Sequence, residues 1–403
     1  MADTTGPVDT GTDPMPEPTE PPAPQSIAWP PLPAAAPRAE PRSRRVSAAL
    51  VIVVAMAALF GSVVGALTTR WATDRVEAVA TTVTTTLPPT STTSTLPADP
   101  TLAEVARTVI PSIVVVHAGM ATDDGFVGHG GGSGVVFDDR HIITNHHVIE
   151  NAATIQVIFS DGSIVPATLV GSDDLTDLAV LTVDRPGLVP LATGSTEDIS
   201  VGDAAYTVGN PQLIGGGPSV TAGIVSALNR SVTISGRDHF GLLQTDAPFT
   251  RGSSGGALVD GRGRLIGITT GVGVSDFGQE GVGFVIPIEI VERIITDLIE
   301  DGVVTHAFLG VAGSTHYPES DDGSSRPAGV LVEEVIADTA AAEAGVAAGD
   351  VIVAVDGFEL TTMGDLVVRM RLGRVGDVVE IVVDRSGERL TFDIILRQRP
   401  EGV

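Results

Sequence analysis

Residues 252–258 read Gly-Ser-Ser-Gly-Gly-Ala-Leu, a serine set among glycines just before an apolar run. A serine hydroxyl is a poor nucleophile at neutral pH. It needs an imidazole to take its proton and a carboxylate to hold that imidazole in the right tautomer. It also needs N–H donors aimed where negative charge develops, and glycine permits the backbone angles that turn consecutive N–H groups toward one point. The two missing groups lie upstream. Residues 144–148 read TNHHV after the apolar pair Ile142-Ile143, and residues 173–180 read DDLTDLAV. Taken alone, a glycine-flanked serine is usually a turn, and Asp173, Asp174 and Asp177 could all be turn or capping residues. The three segments gain their meaning together, in the chain order histidine, aspartate, serine.

That order selects among folds. Gly252-x-Ser254-x-Gly256 also fits the nucleophile elbow of an α/β-hydrolase, which needs the order serine, acid, histidine and alternating strands and helices. Here short β-branched runs at 112–116, 134–137, 155–159, 178–183, 204–208, 265–270 and 282–286 alternate with glycine-rich turns. Many short strands at such spacing indicate a β-barrel or sandwich. Helices are expected at 102–109 and 289–300; in the second, Ile290, Ile294, Ile295 and Leu298 share one face, and Asp301-Gly302 supplies a C-cap. A further unit at 306–398 shows strands near 329–335, 351–355 and 378–384 and short helices near 340–344 and 363–372. A zinc cluster of His141, His146 and His147 is the metal alternative, but the chain has 0 cysteines and no HExxH pattern.

Six segments resemble the HtrA/DegP proteases, from about residue 102 to 398. Residues 144–148 are similar to the family's TNxHV motif, 175–180 to its TDLAV motif and 252–258 to its GNSGGxL motif. Residues 206–211 (YTVGNP), 244–247 (QTDA) and 281–287 (GVGFVIP) extend the likeness. Carried over by position, His147 is the general base, Asp177 its orienting acid and Ser254 the nucleophile; His147 rather than His146 falls on the motif histidine. The oxyanion hole is assigned to the turn Gly252, Ser253 and Ser254, and the S1 region to Gly281, Val282, Gly283 and Phe284. No acid precedes the nucleophile within 248–253, so the resemblance implies small or medium apolar P1 residues such as Val, Ala or Leu. The sequence departs from the family at Ser253, where Asn is usual, and at Thr250-Arg251, where Asn-Pro is common. Phe308-Leu309-Gly310-Val311 looks like the carboxylate-binding loop of HtrA-type PDZ domains. Met363, Leu366, Val367 and Met370 fall on one helix face and serve equally as groove or core.

The implied architecture is mainly β: a chymotrypsin-like double β-barrel protease domain at 101–302 and a small α+β PDZ domain at 303–398. Residues 1–45 are rich in Pro, Thr, Asp and Glu, a composition that reads as a disordered tail. Residues 46–67 are uncharged throughout and, as a helix rising about 1.5 Å per residue, span about 33 Å, enough for a bilayer core of about 30 Å. Arg38, Arg42, Arg44 and Arg45 precede this span, which puts the N-terminus in the cytoplasm and the rest outside. Residues 68–100 read as a Thr/Ser/Pro-rich tether. A net charge of −27 argues against nucleic-acid partners. The function implied is a serine endopeptidase of unfolded or damaged proteins outside the cytoplasmic membrane, anchored by one helix. The PDZ domain would recognise C-terminal peptides, the assembly would be a homotrimer, and neither metal nor organic cofactor is required. The alternative is a catalytically silent pseudoprotease acting as chaperone or peptide-binding scaffold.

Overall fold

Short runs of β-branched and other apolar residues form the strands, several of them, such as Leu178–Val183, are buried on both faces, and here the sheets close into cylinders. The computed structural model describes residues 99–400, apart from 123–124, 211–216, 235, 249, 251, 273–281 and 319–323. The tail, the membrane-span and most of the tether expected at 1–98 therefore lie outside the described residues. Among the described residues, no helix is long and apolar enough to cross a membrane.

A helix α1 (Leu102–Val109) opens this region. Its Thr101 hydroxyl accepts from the Glu104 amide while the Glu104 carboxylate accepts from the Thr101 amide, a reciprocal cap. Six strands follow: β1 (Ile113–Thr122), β2 (Gly125–Val136), β3 (His141–Thr144), β4 (Thr154–Ile158), β5 (Ile164–Asp173) and β6 (Leu178–Val183). They close as a barrel in the order β1-β2-β3-β6-β5-β4. A single helical turn α2 (His146–Ile149) leaves the end of β3. The second barrel joins β7 (Ala204–Gly209), β8 (Ser219–Ile234), β9 (Arg237–Thr245), β10 (Ala257–Asp260), β11 (Leu265–Val272) and β12 (Gly283–Pro287) in the order β10-β11-β12-β9-β8-β7.

Each barrel has its own apolar filling, Val114, Ile142 and Leu181 in the first and Val225, Leu258 and Val285 in the second. A larger core lies between them. It combines Val135, Ile143 and Val180 with Val208, Leu242 and Ile286, and is closed by helix α3 (Ile288–Asp301). The expected face Ile290, Ile294, Ile295 and Leu298 is buried there, and Gly302 ends the helix in the left-handed region at φ 78°.

The C-terminal unit is a five-strand path β14 (Val311–Thr315), β15 (Val330–Val335), β16 (Val351–Val355), β18 (Val378–Arg385) and β19 (Glu388–Ile395). The short β17 (Phe358–Glu359) pairs with β16, and β13 (Ala307–Phe308) pairs with β20 (Arg397–Gln398). Two helices, α4 (Ala340–Ala344) and α5 (Met363–Leu372), cover it, the second with its own Thr362/Asp365 capping box.

The interbarrel core carries the relation of the two barrels. Ile294→Ala removes a fully buried side chain there and is expected to cost about 2–5 kcal/mol, read as a lowered midpoint in chemical denaturation.

Candidate active site

Strand β3 delivers the histidine. Its last residue, Thr144, donates its hydroxyl to the Ser133 carbonyl at 2.7 Å, and Asn145 donates its side-chain amide to the Asp177 carbonyl at 2.9 Å. The chain then turns once through α2, and His147 comes to lie against the Asp177 carboxylate. His147 Nδ1 stands 2.9 Å and 2.8 Å from the two Asp177 oxygens, and the His147 amide donates to one of them at 3.0 Å. A carboxylate only accepts, so Nδ1–H is the donor in this pair. Asp177 sits in the left-handed region at φ 59°, which Asp tolerates better than most residues.

Asp177 is 4% exposed. Burial pushes its carboxyl upward. The hydrogen bond and charge of His147, the Thr270 hydroxyl and the His147 amide outweigh that, so the carboxyl is held below its ordinary value. The Thr270 donor, on β11, reaches Asp177 Oδ2 at 2.5 Å.

Thr270 also reaches the serine. Ser254 Oγ donates to the Thr270 carbonyl at 3.1 Å, so one residue of β11 touches Asp177 through its side chain and Ser254 through its backbone. The turn bearing Ser254 is bent by Gly252 at φ 97° and Gly255 at φ 82°. A Cβ on Gly255 would lie 2.2 Å from the Ser133 carbonyl oxygen, which leaves glycine as the residue that fits. Gly132 separates the two halves of the site: a Cβ there would sit 2.6 Å from the Ser254 carbonyl oxygen and 2.7 Å from a Val148 methyl. The turn bearing Ser254 and the turn bearing His147 thus both pack against Gly132. Of the assigned oxyanion residues, Ser253 donates its amide to the Thr250 carbonyl at 2.9 Å, while Arg251 lies outside the described residues.

The other expected residues fall as follows. His146 Nδ1 lies 3.1 Å from Ser172 Oγ and His141 Nδ1 lies 2.7 Å from Asp138, so the three histidines face three different partners. Among the described residues, no cluster of His, Asp and Glu is arranged to hold a metal ion. Gly281 lies outside the described residues, Val282 leads into β12, Gly283 pairs with Thr245, and Phe284 packs in the interbarrel core at 8% exposed. Phe308, Leu309, Gly310 and Val311 border a cavity of about 540 Å³, whose wall includes Met363, Leu366, Val367 and Met370. Leu366 is also in the core of the C-terminal unit at 2% exposed, so cavity wall and core share that helix face.

The trypsin-like peptidase domain family matches residues 132–268, and the PDZ domain family matches residues 307–396. Serine endoprotease DegS of Escherichia coli (strain K12) is 38% identical over 277 residues, covering 67% of this chain and 77% of DegS. The chain belongs to the HtrA-type serine endoproteases. Periplasmic serine endoprotease DegP of the same strain is 36% identical over 272 residues, covering 66% of this chain and 57% of DegP. Among solved structures, the HtrA-type protease AlgW with tripeptide superposes at a TM-score of 0.62 with 34% identity, covering 75% of this chain and 98% of that one. The serine endoprotease from Yersinia pestis does so at 0.55 with 33% identity, covering 75% and 99%.

In this HtrA-type protease two supporting residues escaped the sequence reading. Thr270 lies in an apolar strand where a second threonine, Thr269, precedes it, and no pattern marks which of the two faces the acid. Ser133 is fully buried behind the turn bearing Ser254. Its hydroxyl donates to the Gly252 carbonyl at 2.8 Å and accepts from the Asn210 amide at 2.8 Å, while its own amide donates to the Ser254 carbonyl at 2.8 Å. The signal was the run GGGSGVV at 130–136, which reads only as a strand beside glycines.

Thr270→Val deletes one charge-assisted hydrogen bond to Asp177 at constant shape. Such bonds are worth about 1.5–3 kcal/mol, so kcat is expected to fall about 10- to 100-fold with KM little changed. Steady-state kinetics on a peptide substrate checks this.

Proposed function

We propose that His147, Asp177 and Ser254 form the catalytic triad of this endopeptidase. His147 Nε2 takes the Ser254 proton as Oγ attacks the scissile carbonyl, and returns it to the leaving amine; Asp177 holds the imidazole and stabilises its charged form. Before attack, Ser254 Oγ turns from the Thr270 carbonyl toward Nε2, a contact that forms fully with substrate in place. The amides of Gly252 and Ser254 are assigned the oxyanion, and loss of one such donor costs about 2.7–4 kcal/mol of transition-state stabilisation. Water then hydrolyses the acyl-enzyme by the same proton route. The observation that carries this reading is the double contact of Thr270, which ties the paired His147 and Asp177 to the nucleophile's hydroxyl.

The substrates are proposed to be unfolded or damaged proteins cut after small or medium apolar residues lining the region 281–284. The loop Phe308-Leu309-Gly310-Val311 takes the C-terminal end of a peptide along β14, with Met363, Leu366, Val367 and Met370 in the opposite wall. The AlgW structures with tripeptide and decapeptide support peptide binding by this type of chain. The loop's own turn calls for glycine at 310: at φ 95°, a Cβ there would lie 2.1 Å from Thr339 Oγ1. The apolar run 46–67 anchors the chain in the cytoplasmic membrane with the described residues on its outer side, and the working assembly is a homotrimer. Periplasmic relatives support that location.

A fluorophosphonate probe is expected to label the wild type and not Ser254→Ala. His147→Ala should lose nearly as much activity as Ser254→Ala, up to about 10⁶-fold in kcat, because the triad acts as a unit. His146→Ala should keep most of it. Equal loss in both histidine variants, with both folded, would contradict the assignment.

A further inference from the structure

The 540 Å³ cavity is bounded on one side by the PDZ loop and helix α5, and on the other by Leu175 and Phe240 of the protease barrels. One of its lining groups is electrostatically incomplete. Arg371, on the last turn of α5, is 7% exposed. It donates Nη2 to the Leu175 carbonyl at 3.3 Å, while its Nε is buried without a hydrogen-bond partner. Burial, helped by the like charge of Arg399, lowers its guanidinium to about 10 despite the attraction of Asp173.

The anions nearby are engaged. Asp173 pairs with His306 at 2.8 Å and caps the Thr176 amide at 3.0 Å; Asp174 faces Arg237 at 3.4 Å; Asp238 accepts from Thr233 at 2.6 Å. The ring of Phe240 lies 5.7 Å from the guanidinium carbon and gives it a π face rather than an acceptor. A buried cation served by one neutral carbonyl costs free energy that an incoming anion would recover. A carboxylate fits the planar guanidinium, which has further N–H donors beyond the one taken by the Leu175 carbonyl. This stands out in a chain whose net charge is −27.

We propose that Arg371 receives a carboxylate of the peptide bound in this cavity. The inference rests on the groove reading above and adds to it a charge-reading residue outside the loop 308–311. Two sources share this chemistry, the peptide's C-terminal carboxylate and an acidic side chain near its end.

The test is fluorescence anisotropy on the full chain in detergent, with four labelled decapeptides ending in valine. They carry a free acid or an amide at the C-terminus, and Asp or Asn at the penultimate position. Arg371→Met is expected to weaken the peptide bearing the paired carboxylate about tenfold or more, the scale of one charge-assisted hydrogen bond. It should leave the matched peptide without that carboxylate unchanged. Insensitivity of the amides identifies the terminal carboxylate; insensitivity of the Asn peptides identifies the side chain. Arg371→Lys should recover part of the loss. Should Arg371→Met fail to fold, Arg371→Gln carries the same comparison, since it keeps a donor for the Leu175 carbonyl without the charge. Equal affinity of wild type and variant for all four peptides overturns the role of Arg371 and leaves the groove intact. Binding of none of them by the wild type removes the groove reading itself, and this proposal with it.

Discussion

A carboxylate buried to 4% exposure must be surrounded by donors or it will not stay charged. Asp177 meets that requirement with three groups from two other parts of the chain: the His147 amide, His147 Nδ1 and the Thr270 hydroxyl. Satisfying one charge therefore fixes the turn after β3, the loop before β6 and strand β11 in a single arrangement across the two barrels. The sign of the linkage follows. The folded carboxyl lies below its ordinary value of 3.8, so the stability it contributes is present above that pH and is lost as the pH falls through the folded value.

The turn bearing Ser254 is held by a second, neutral set of bonds. Ser133 reaches Gly252, Ser254 and Asn210, and Thr269 donates to the Ser253 carbonyl at 2.6 Å. These bonds close the turn from one side. Thr270 joins the two sets, because its side chain serves the charge and its carbonyl receives the serine hydroxyl. A rigid backing with a rotatable hydroxyl is an economical way to hold a preorganised site whose last hydrogen bond forms on substrate binding.

Much of the fold was legible. The runs at 178–183 and 351–355 and the helices at 102–109, 340–344 and 363–372 appear with the expected bounds; the first is a continuous apolar run buried on both faces. The 16-residue β8 and its partner β9 were not legible: β8 is exposed or half-exposed along nearly all its length, so no alternation marks it. Strand β5 escaped for the same reason. In the site, His147 was separable from His146 only through the motif likeness, and the structure supplies the physical difference, since one faces Asp177 and the other Ser172. Thr270, Ser133 and Arg371 act through contacts with residues far away in sequence. Arg371 meets Leu175 across 196 positions, and local pattern carries no trace of such a pairing.

The central claim is that one imidazole links a buried acid to one serine hydroxyl beside the amides of the glycine turn. A crystal structure of the protein inactivated by a peptidyl phosphonate tests it most directly. The account requires phosphorus bonded to Ser254 Oγ, one phosphonyl oxygen between the amides of Gly252 and Ser254, and His147 still paired with Asp177. A fully inactivated protein in which Ser254 Oγ remains on the Thr270 carbonyl and the phosphonate sits on another residue would contradict it.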